Sequence, residues 1–272
     1  MKESVSNDQI IKEHYKVQAA KHKDSALSTM EDPITRQKEV TLIQNFLRLP
    51  DVGGHGKKIL EIGCGNGYTL AHLVSLFPDY NFTGLDFSED LLEIARKRNL
   101  PSVHFEQGDV RRLQFEDGQF DIIYTERCII NLLNWDEQQK ALNEMARVLK
   151  KGGHILFIES FTEGYNSLNK ARNELGLDTI PMPHHNLYFE KEIFEAFVLQ
   201  EFDIVSAAQL GGQGDEVPRN FLSSHYFSAR VLHPLLTKGD PQLKNTELVK
   251  FFSFLPPSGC YSAIEAYILK KK

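Results

Sequence analysis

The residues best placed to do chemistry lie in one short run, Glu61-Ile62-Gly63-Cys64-Gly65-Asn66-Gly67. It follows an apolar stretch, Lys57–Ile62, and precedes a segment whose apolar residues recur at helical spacing. Glycines in such a position let the backbone turn tightly and approach a ligand with no Cβ in between. The spacing is G-x-G-x-G. Tyr68 stands where the dinucleotide fingerprint G-x-G-x-x-G needs glycine or alanine, and no Walker-type lysine follows the loop. Two more apolar stretches end in acids, Asp86 in TGLDFS and Asp109 in Gly108-Asp109-Val110.

A regular framework is needed to bring these groups together. Lys57–Ile62, Asn81–Asp86, Ser102–Gln107, Phe120–Thr125 and His154–Ser160 read as buried strands. Between them Tyr68–Leu76, Glu89–Arg98 and Asp136–Leu149 read as amphipathic helices, with Ser88 as N-cap of the second. Strand–helix alternation with short connections implies an α/β fold with a parallel sheet covered on both faces. Ligands of such sheets sit beyond the carboxyl ends of the strands, where strand order reverses. The acids and glycines above fall at those ends.

Residues 1–50 precede the first strand and look mainly helical, a cap on a domain spanning 51–272. Further helix (Glu190–Leu199) and strand (Phe202–Leu210) patterns follow the core, and Tyr261–Leu269 reads as the last strand. Insertions at about 162–189 and 211–260 are rich in Gly, Pro, His and aromatic residues, as lids and substrate-binding loops are. Arg219–Leu235 within the second reads as a helix ending before Pro234, which places Tyr226 and Arg230 on one face.

Composition excludes several classes. A net charge of -6 and the lack of a basic stripe disfavour a nucleic-acid partner. Three scattered cysteines (Cys64, Cys128, Cys260) form no C-x-x-C pair, so neither a disulfide framework nor a zinc site is expected. No stretch approaches the ~18 apolar residues of a membrane span, and Met1–Lys12 is too polar for a signal peptide. A cytoplasmic, reduced setting without membrane association is expected.

ILEIGCGNGYTL resembles the first motif of class I S-adenosylmethionine-dependent methyltransferases. Asp86, Gly108-Asp109-Val110, Phe120-Asp121-Ile122-Ile123 and the Arg147–Gly153 stretch resemble its later motifs, in order and over residues 57–161. The resemblance implies a Rossmann-like, doubly wound, seven-stranded sheet with the last strand antiparallel. It also implies S-adenosylmethionine as cofactor, no metal, and a small-molecule acceptor. In that reading Asp86 accepts both ribose hydroxyls, since a carboxylate suits a cis-diol. Glu61 lies under the turn formed by Gly63, Cys64, Gly65 and Gly67 and approaches the methionine amine. Asp109 and the Val110 backbone meet the adenine, and Phe87 packs on its face or belongs to the core. An NAD-binding oxidoreductase is the rival on fold grounds, and the glycine spacing argues against it.

Tyr15, Thr29 and Met30 in the N-terminal segment, with Glu13, His14 and Ser28 beside them, resemble the cap that small-molecule members fold over the cofactor. Deleting residues 1–32 is expected to spare the fold and impair turnover. Glu126 follows the fourth strand beside the cofactor, and Arg127 either grips an anion or pairs with an acid such as Glu126. Asn131, Asn186, Tyr188, Tyr226 and Arg230 are the other acceptor-site candidates. Adjacent His184 and His185 supply a base or hydrogen-bond the acceptor, or play a structural part. The outer segments loosely resemble methyltransferases of cell-surface polysaccharide and natural-product pathways. That points to a glycan precursor, nucleotide sugar, or small phosphorylated or carboxylated metabolite, methylated at oxygen rather than nitrogen. A cofactor-binding scaffold without turnover, or a protein or nucleic-acid methyltransferase, are the alternatives.

Overall fold

The computed structural model describes residues 6–25, 30–238 and 245–272. Its strands are β1 (Lys58–Ile62), β2 (Asn81–Asp86), β3 (Val103–Gln107), β4 (Phe120–Glu126), β5 (Leu149–Ser160), β6 (Phe202–Val205) and β7 (Ile264–Lys271). They form one sheet in the order β3-β2-β1-β4-β5-β7-β6. The pairings from β3 through to β5 are parallel, and β7 runs antiparallel to both β5 and β6. This is the doubly wound sheet expected. Ile59, Leu60 and Ile62 of β1 and Ile122 and Ile123 of β4 are fully buried, as central strands covered on both faces require.

The helices are α1 (Asn7–His22), α2 (Pro33–Arg48), α3 (Tyr68–Leu73), α4 (Glu89–Lys97), α5 (Trp135–Val148), α6 (Thr162–Glu174), α7 (Lys191–Val198), α8 (Ser223–Phe227), α9 (His233–Leu236) and α10 (Glu247–Ser253). One core layer joins Ile43, Phe46 and Leu47 of α2 to Leu70, Leu73 and Ile122. The other joins Leu142 and Met145 of α5 and Phe194 of α7 to Ile123, Phe157 and Tyr267. Ser88 caps α4 as expected, its Oγ accepting from Leu91 N at 3.4 Å, and Leu91, Leu92 and Ala95 turn inward. α1 is built differently. Ile11 and Ala19 are its buried apolar residues, so hydrogen bonds rather than apolar burial must hold it.

Several elements depart from the sequence pattern, and β5 for one starts at Leu149 rather than His154. β6 stops at Val205 because the chain turns through a short 3₁₀ segment, Ala208–Leu210, that ends at Gly211 with φ +80°. The last strand starts at Ile264 rather than Tyr261. The helix expected over Arg219–Leu235 begins at Ser223 and continues past Pro234, through a π-helical turn at Ser228–Leu232 into α9. Pro234 offers no N–H and crowds the carbonyl four residues back, that of Arg230. The Arg172 guanidinium donates to that carbonyl instead. No helix among the described residues is long and apolar enough to cross a membrane.

Candidate active site

Strand order reverses between β1 and β4, and the carboxyl ends of β1, β2 and β4 with the loop after β3 surround a cavity of about 980 Å³. The glycine loop forms its floor. Gly63 has φ +79°, and a Cβ there would come 2.6 Å from the Cβ of Cys128. Gly67, at φ +71°, would meet Ala95 and the Phe105 ring at 3.1 Å. Both positions therefore need glycine for conformation and for space. Cys64 is buried behind the loop.

Asp86 at the end of β2 is fixed by its own neighbourhood. Gly65 N donates to its Oδ2 at 2.7 Å and Ser88 N to its Oδ1 at 2.8 Å. Each oxygen keeps a lone pair for a further donor. Burial pushes this carboxyl up to about 6 against those two bonds. Phe87, Leu91 and Val110 line the same side, with Lys12 Nζ of α1 4.7 Å from the Phe87 ring centroid. Asp109 also lines the cavity, but Arg111 grips both its oxygens, Nε lying 2.9 Å from Oδ1 and 3.0 Å from Oδ2. Arg111 reaches on to Glu137 and to Asp8 of α1, each at 2.9 Å. These bonds hold the Asp109 carboxyl below its usual range despite its burial. Arg111 thereby clips α1 onto the loop after β3.

At the other end of the cavity lies a buried charge network centred on α2. Arg36 pairs with Glu126 and donates to Thr69 Oγ1 at 2.8 Å, and Thr69 donates to Glu126 at 2.8 Å. Arg127 makes a two-pronged pair with Glu39, at 2.8 and 3.1 Å. The ion pair considered above between Arg127 and Glu126 is thus corrected. Glu39 takes Arg127 and Arg36 takes Glu126, because α2 brings both partners in from far along the chain. Arg36 and Glu39 escaped the sequence reading, yet they stand on the apolar stripe of α2 with Val40, Ile43 and Leu47. Charged residues on a buried stripe were the available signal. Glu61 accepts from the Tyr124 hydroxyl at 3.0 Å. Burial first, then the charge of Glu126, push the Glu61 carboxyl well up, so it favours a proton or a cation nearby. The Nε of Arg36 is buried and finds no partner among the described residues.

A second cavity, of about 1190 Å³, opens beside the first and shares Tyr15, Arg127 and Asn131 with it. Met30, His185, Asn186, Tyr188, Tyr226 and Arg230 line this second space, while Thr29 lies outside the described residues. Asn131 is its hub. Its Oδ1 accepts from the Tyr15 hydroxyl at 2.8 Å, and its Nδ2 donates to Asn186 Oδ1 at 2.8 Å and to His185 O at 3.2 Å. One amide thus ties α1 and the first insertion to the turn after β4, with both its donors spent on them. Glu159 on β5, also missed from sequence, holds that turn by accepting from the amides of Cys128, Ile129 and Ile130 at 3.0, 3.1 and 3.3 Å.

The two histidines separate. His185 stacks on His14 with ring centroids 3.9 Å apart, and burial, then His14 and His184, hold it down at about 4. Its Nδ1 is buried and without a partner among the described residues. His184 lines neither cavity; it faces an outer groove along α1 with Gln9, Glu13 and Val17. Burial also pushes the Tyr15 phenol far up, so it stays protonated.

Fold and site together define an open α/β protein with a nucleoside-sized cavity at its switch point and a second cavity under its insertions. Comparison gives the class a name. Residues 59–153 match the family described as "Methyltransferase domain". The fatty-acid O-methyltransferase of Mycolicibacterium smegmatis is 35% identical over 106 residues, 39% of this chain and 38% of that protein. The demethylmenaquinone methyltransferase of Staphylococcus aureus is 36% identical over 108 residues, 39% of this chain and 44% of that protein. The chain thus spans less than half the length of these curated relatives. A TehB-like S-adenosylmethionine-dependent methyltransferase from Corynebacterium glutamicum shares the fold, at TM-score 0.54 and 16% identity, over 96% of this chain and 99% of that one. Over residues 59–153 the chain is thus similar to methyltransferase domains, and its fold is shared with an S-adenosylmethionine-dependent methyltransferase.

Proposed function

We propose that this protein transfers the methyl group of S-adenosylmethionine to an oxygen of a small molecule held in the second cavity. The observation that carries the reading is the junction of the two cavities at Tyr15, Arg127 and Asn131. The first cavity fits the cofactor at both ends. Asp86 has lone pairs left for a ribose diol, and Phe87, Leu91, Val110 and Asp109 offer an apolar slot with a polar end. Glu61, a carboxylate short of a cation, suits an ammonium, and the unspent Nε of Arg36 suits a carboxylate. Gly63, Cys64, Gly65 and Gly67 give the backbone close approach, and Glu126 fixes Arg36.

When bound, S-adenosylmethionine supplies a methyl on a sulfonium, which is displaced as a neutral thioether. The chain's work is then orientation, which can contribute on the order of 7–11 kcal/mol, and exclusion of water. α1 closes over the junction through Asp8–Arg111 at one end and Tyr15–Asn131 at the other. His185 is neutral, so its unpartnered Nδ1 can accept a hydrogen bond from an attacking hydroxyl, which favours oxygen over nitrogen as the nucleophile. Asn186, Tyr188, Tyr226 and Arg230 contact the acceptor, and His184 supports His185 from outside. A cavity under lids, with a net charge of -6, supports a small acceptor over protein or nucleic acid.

The test is a mass-spectrometric turnover screen with methyl-labelled S-adenosylmethionine. Carboxylic acids, phosphorylated metabolites, nucleotide sugars, glycan precursors and amines are the panel. A labelled oxygen ester or ether is the expected product. Binding of the cofactor with no label transferred to any class would favour the scaffold reading.

A further inference from the structure

Arg230 is a charge that nothing so far explains. It lines the second cavity and not the first. Among the described residues no carboxylate pairs with its guanidinium, which lies 4.3 Å from the centroid of the Tyr226 ring. Arg172 stands close enough for Arg230 to lower its pKa, after the effect of burial. Arg172 spends its own donors on carbonyls, those of Arg230 and, at 2.8 Å, Asp178. Neighbouring guanidinium groups with no ion pair are unfavourable inside a protein unless an anion joins them. Glu31 is the one carboxylate lining this cavity among the described residues; it is exposed and pairs with neither arginine.

The groups around Arg230 are donors. Tyr226 is buried, and no hydrogen-bond partner for its hydroxyl is present among the described residues. Tyr188, held at about 12 by burial and then by Tyr226, stays protonated. Ile130, Leu168, Ile180 and Ile264 form an apolar part of the wall, beside polar residues that include Gln18, Ser160 and Asn186. Two of the polar side chains that would read a sugar are largely committed, Asn131 to its three partners and the Tyr165 hydroxyl to Ile180 O at 2.9 Å.

We infer that the acceptor is a small organic anion, its oxyanion held by Arg230 and the Tyr226 hydroxyl and its apolar or aryl body lying against Ile130, Leu168, Ile180 and Ile264. The inference rests on the methyltransferase reading for the word acceptor, and it narrows the candidates against neutral sugars. The anion is a handle rather than the reacting atom, because Arg230 lies outside the cofactor cavity whereas Tyr15 and Asn131 mark the junction. A carboxylate and a phosphate share this chemistry.

Calorimetry on the full chain saturated with S-adenosylhomocysteine tests it, using octanoate against octanamide and 3-phenylpropionate against its amide. Each acid should bind at least about tenfold more tightly than its amide. Arg230→Met should abolish that preference and Arg230→Lys retain part of it, with S-adenosylhomocysteine affinity unchanged in both. Tyr226→Phe, which removes only a hydroxyl, should weaken the acids a few-fold and leave the amides alone. Octyl phosphate titrated beside octanoate separates a phosphate handle from a carboxylate one, the tighter binder identifying it. Equal affinity for acid and amide, no binding of either, or a preference that survives Arg230→Met would overturn the inference. Failure of S-adenosylhomocysteine to bind would instead overturn the methyltransferase reading, and the acid–amide comparison without it would still report on Arg230.

Discussion

The two cavities share three residues but are held together in different ways. The floor of the first is walled by strand ends, and the bonds that fix Asp86 there span short stretches of chain, Ser88 N to Asp86 over two residues and Gly65 N to Asp86 over 21, while its rim is closed by Arg36–Glu126 over 90 and Arg111–Asp8 over 103. The second is assembled by side chains from distant segments. Asn131 meets Asn186 over 55 residues and Tyr15 over 116, and His225 meets Asp32 over 193. The sheet supplies the floor of the first site as a consequence of folding, and α1 and α2 close it. The second is built mostly from α1 and the two insertions.

The largest effect is expected at the charge network that closes the first cavity. Arg36→Met would strand the buried Glu126, whereas Glu39 keeps Arg127, and loss of one partner of such a buried pair costs about 3–5 kcal/mol. Chemical denaturation should show that loss, and Arg36→Met with Glu126→Gln should recover much of it. Full stability in the single variant would mean that α2 is not pinned by this network.

Next is Glu159, which holds the turn carrying Cys128 and Asn131. Glu159→Ala leaves three amides without an acceptor, a cost of about 2–3 kcal/mol. Burial holds this carboxyl at about 7, above its ordinary 4.5. The folded state therefore keeps a proton that the unfolded chain releases. Its contribution is complete below about 4.5 and is lost as pH rises to about 7. Stability measured across that window should fall more steeply in the wild type than in Glu159→Gln.

For the first cavity alone, Asp86→Ala should weaken S-adenosylmethionine at least about tenfold without unfolding the chain. Because the Asp86 carboxyl sits at about 6, cofactor affinity should drop as pH falls through that value, and Asp86→Asn should flatten the profile.

The smallest effect is Tyr15→Phe, the loss of one neutral hydrogen bond, about 1 kcal/mol. It should leave thermal stability nearly unchanged while speeding cofactor release, since α1 buries little apolar surface. A truncation that tests the same helix must stop short of the 1–32 cut considered from sequence. Asp32 caps α2 through Ile34 and Thr35, and His225 hydrogen-bonds to it and holds its carboxyl at about 2 against burial.

The same contrast explains what was legible in the sequence. β1 to β5, Ser88 as a cap and the loop from Gly63 to Gly67 follow from periodicity and from local turn chemistry, so they could be read directly. Asp86 was legible because its position at a strand end is set by two residues of context. Arg111, Arg36, Glu39 and Glu159 were not, since their partners are fixed by packing across the sheet. The path of the helix through Pro234 was hidden for a related reason. The carbonyl that proline blocks is served by Arg172, 58 residues away.

The most direct test of the account is calorimetric titration of the full chain with S-adenosylmethionine, set beside NAD and beside Asp86→Ala. Binding of one S-adenosylmethionine per chain, weakened at least about tenfold by Asp86→Ala, with NAD inert, is the predicted result. Absence of S-adenosylmethionine binding, or NAD bound in its place, would contradict the assignment of the cavity between β1 and β4.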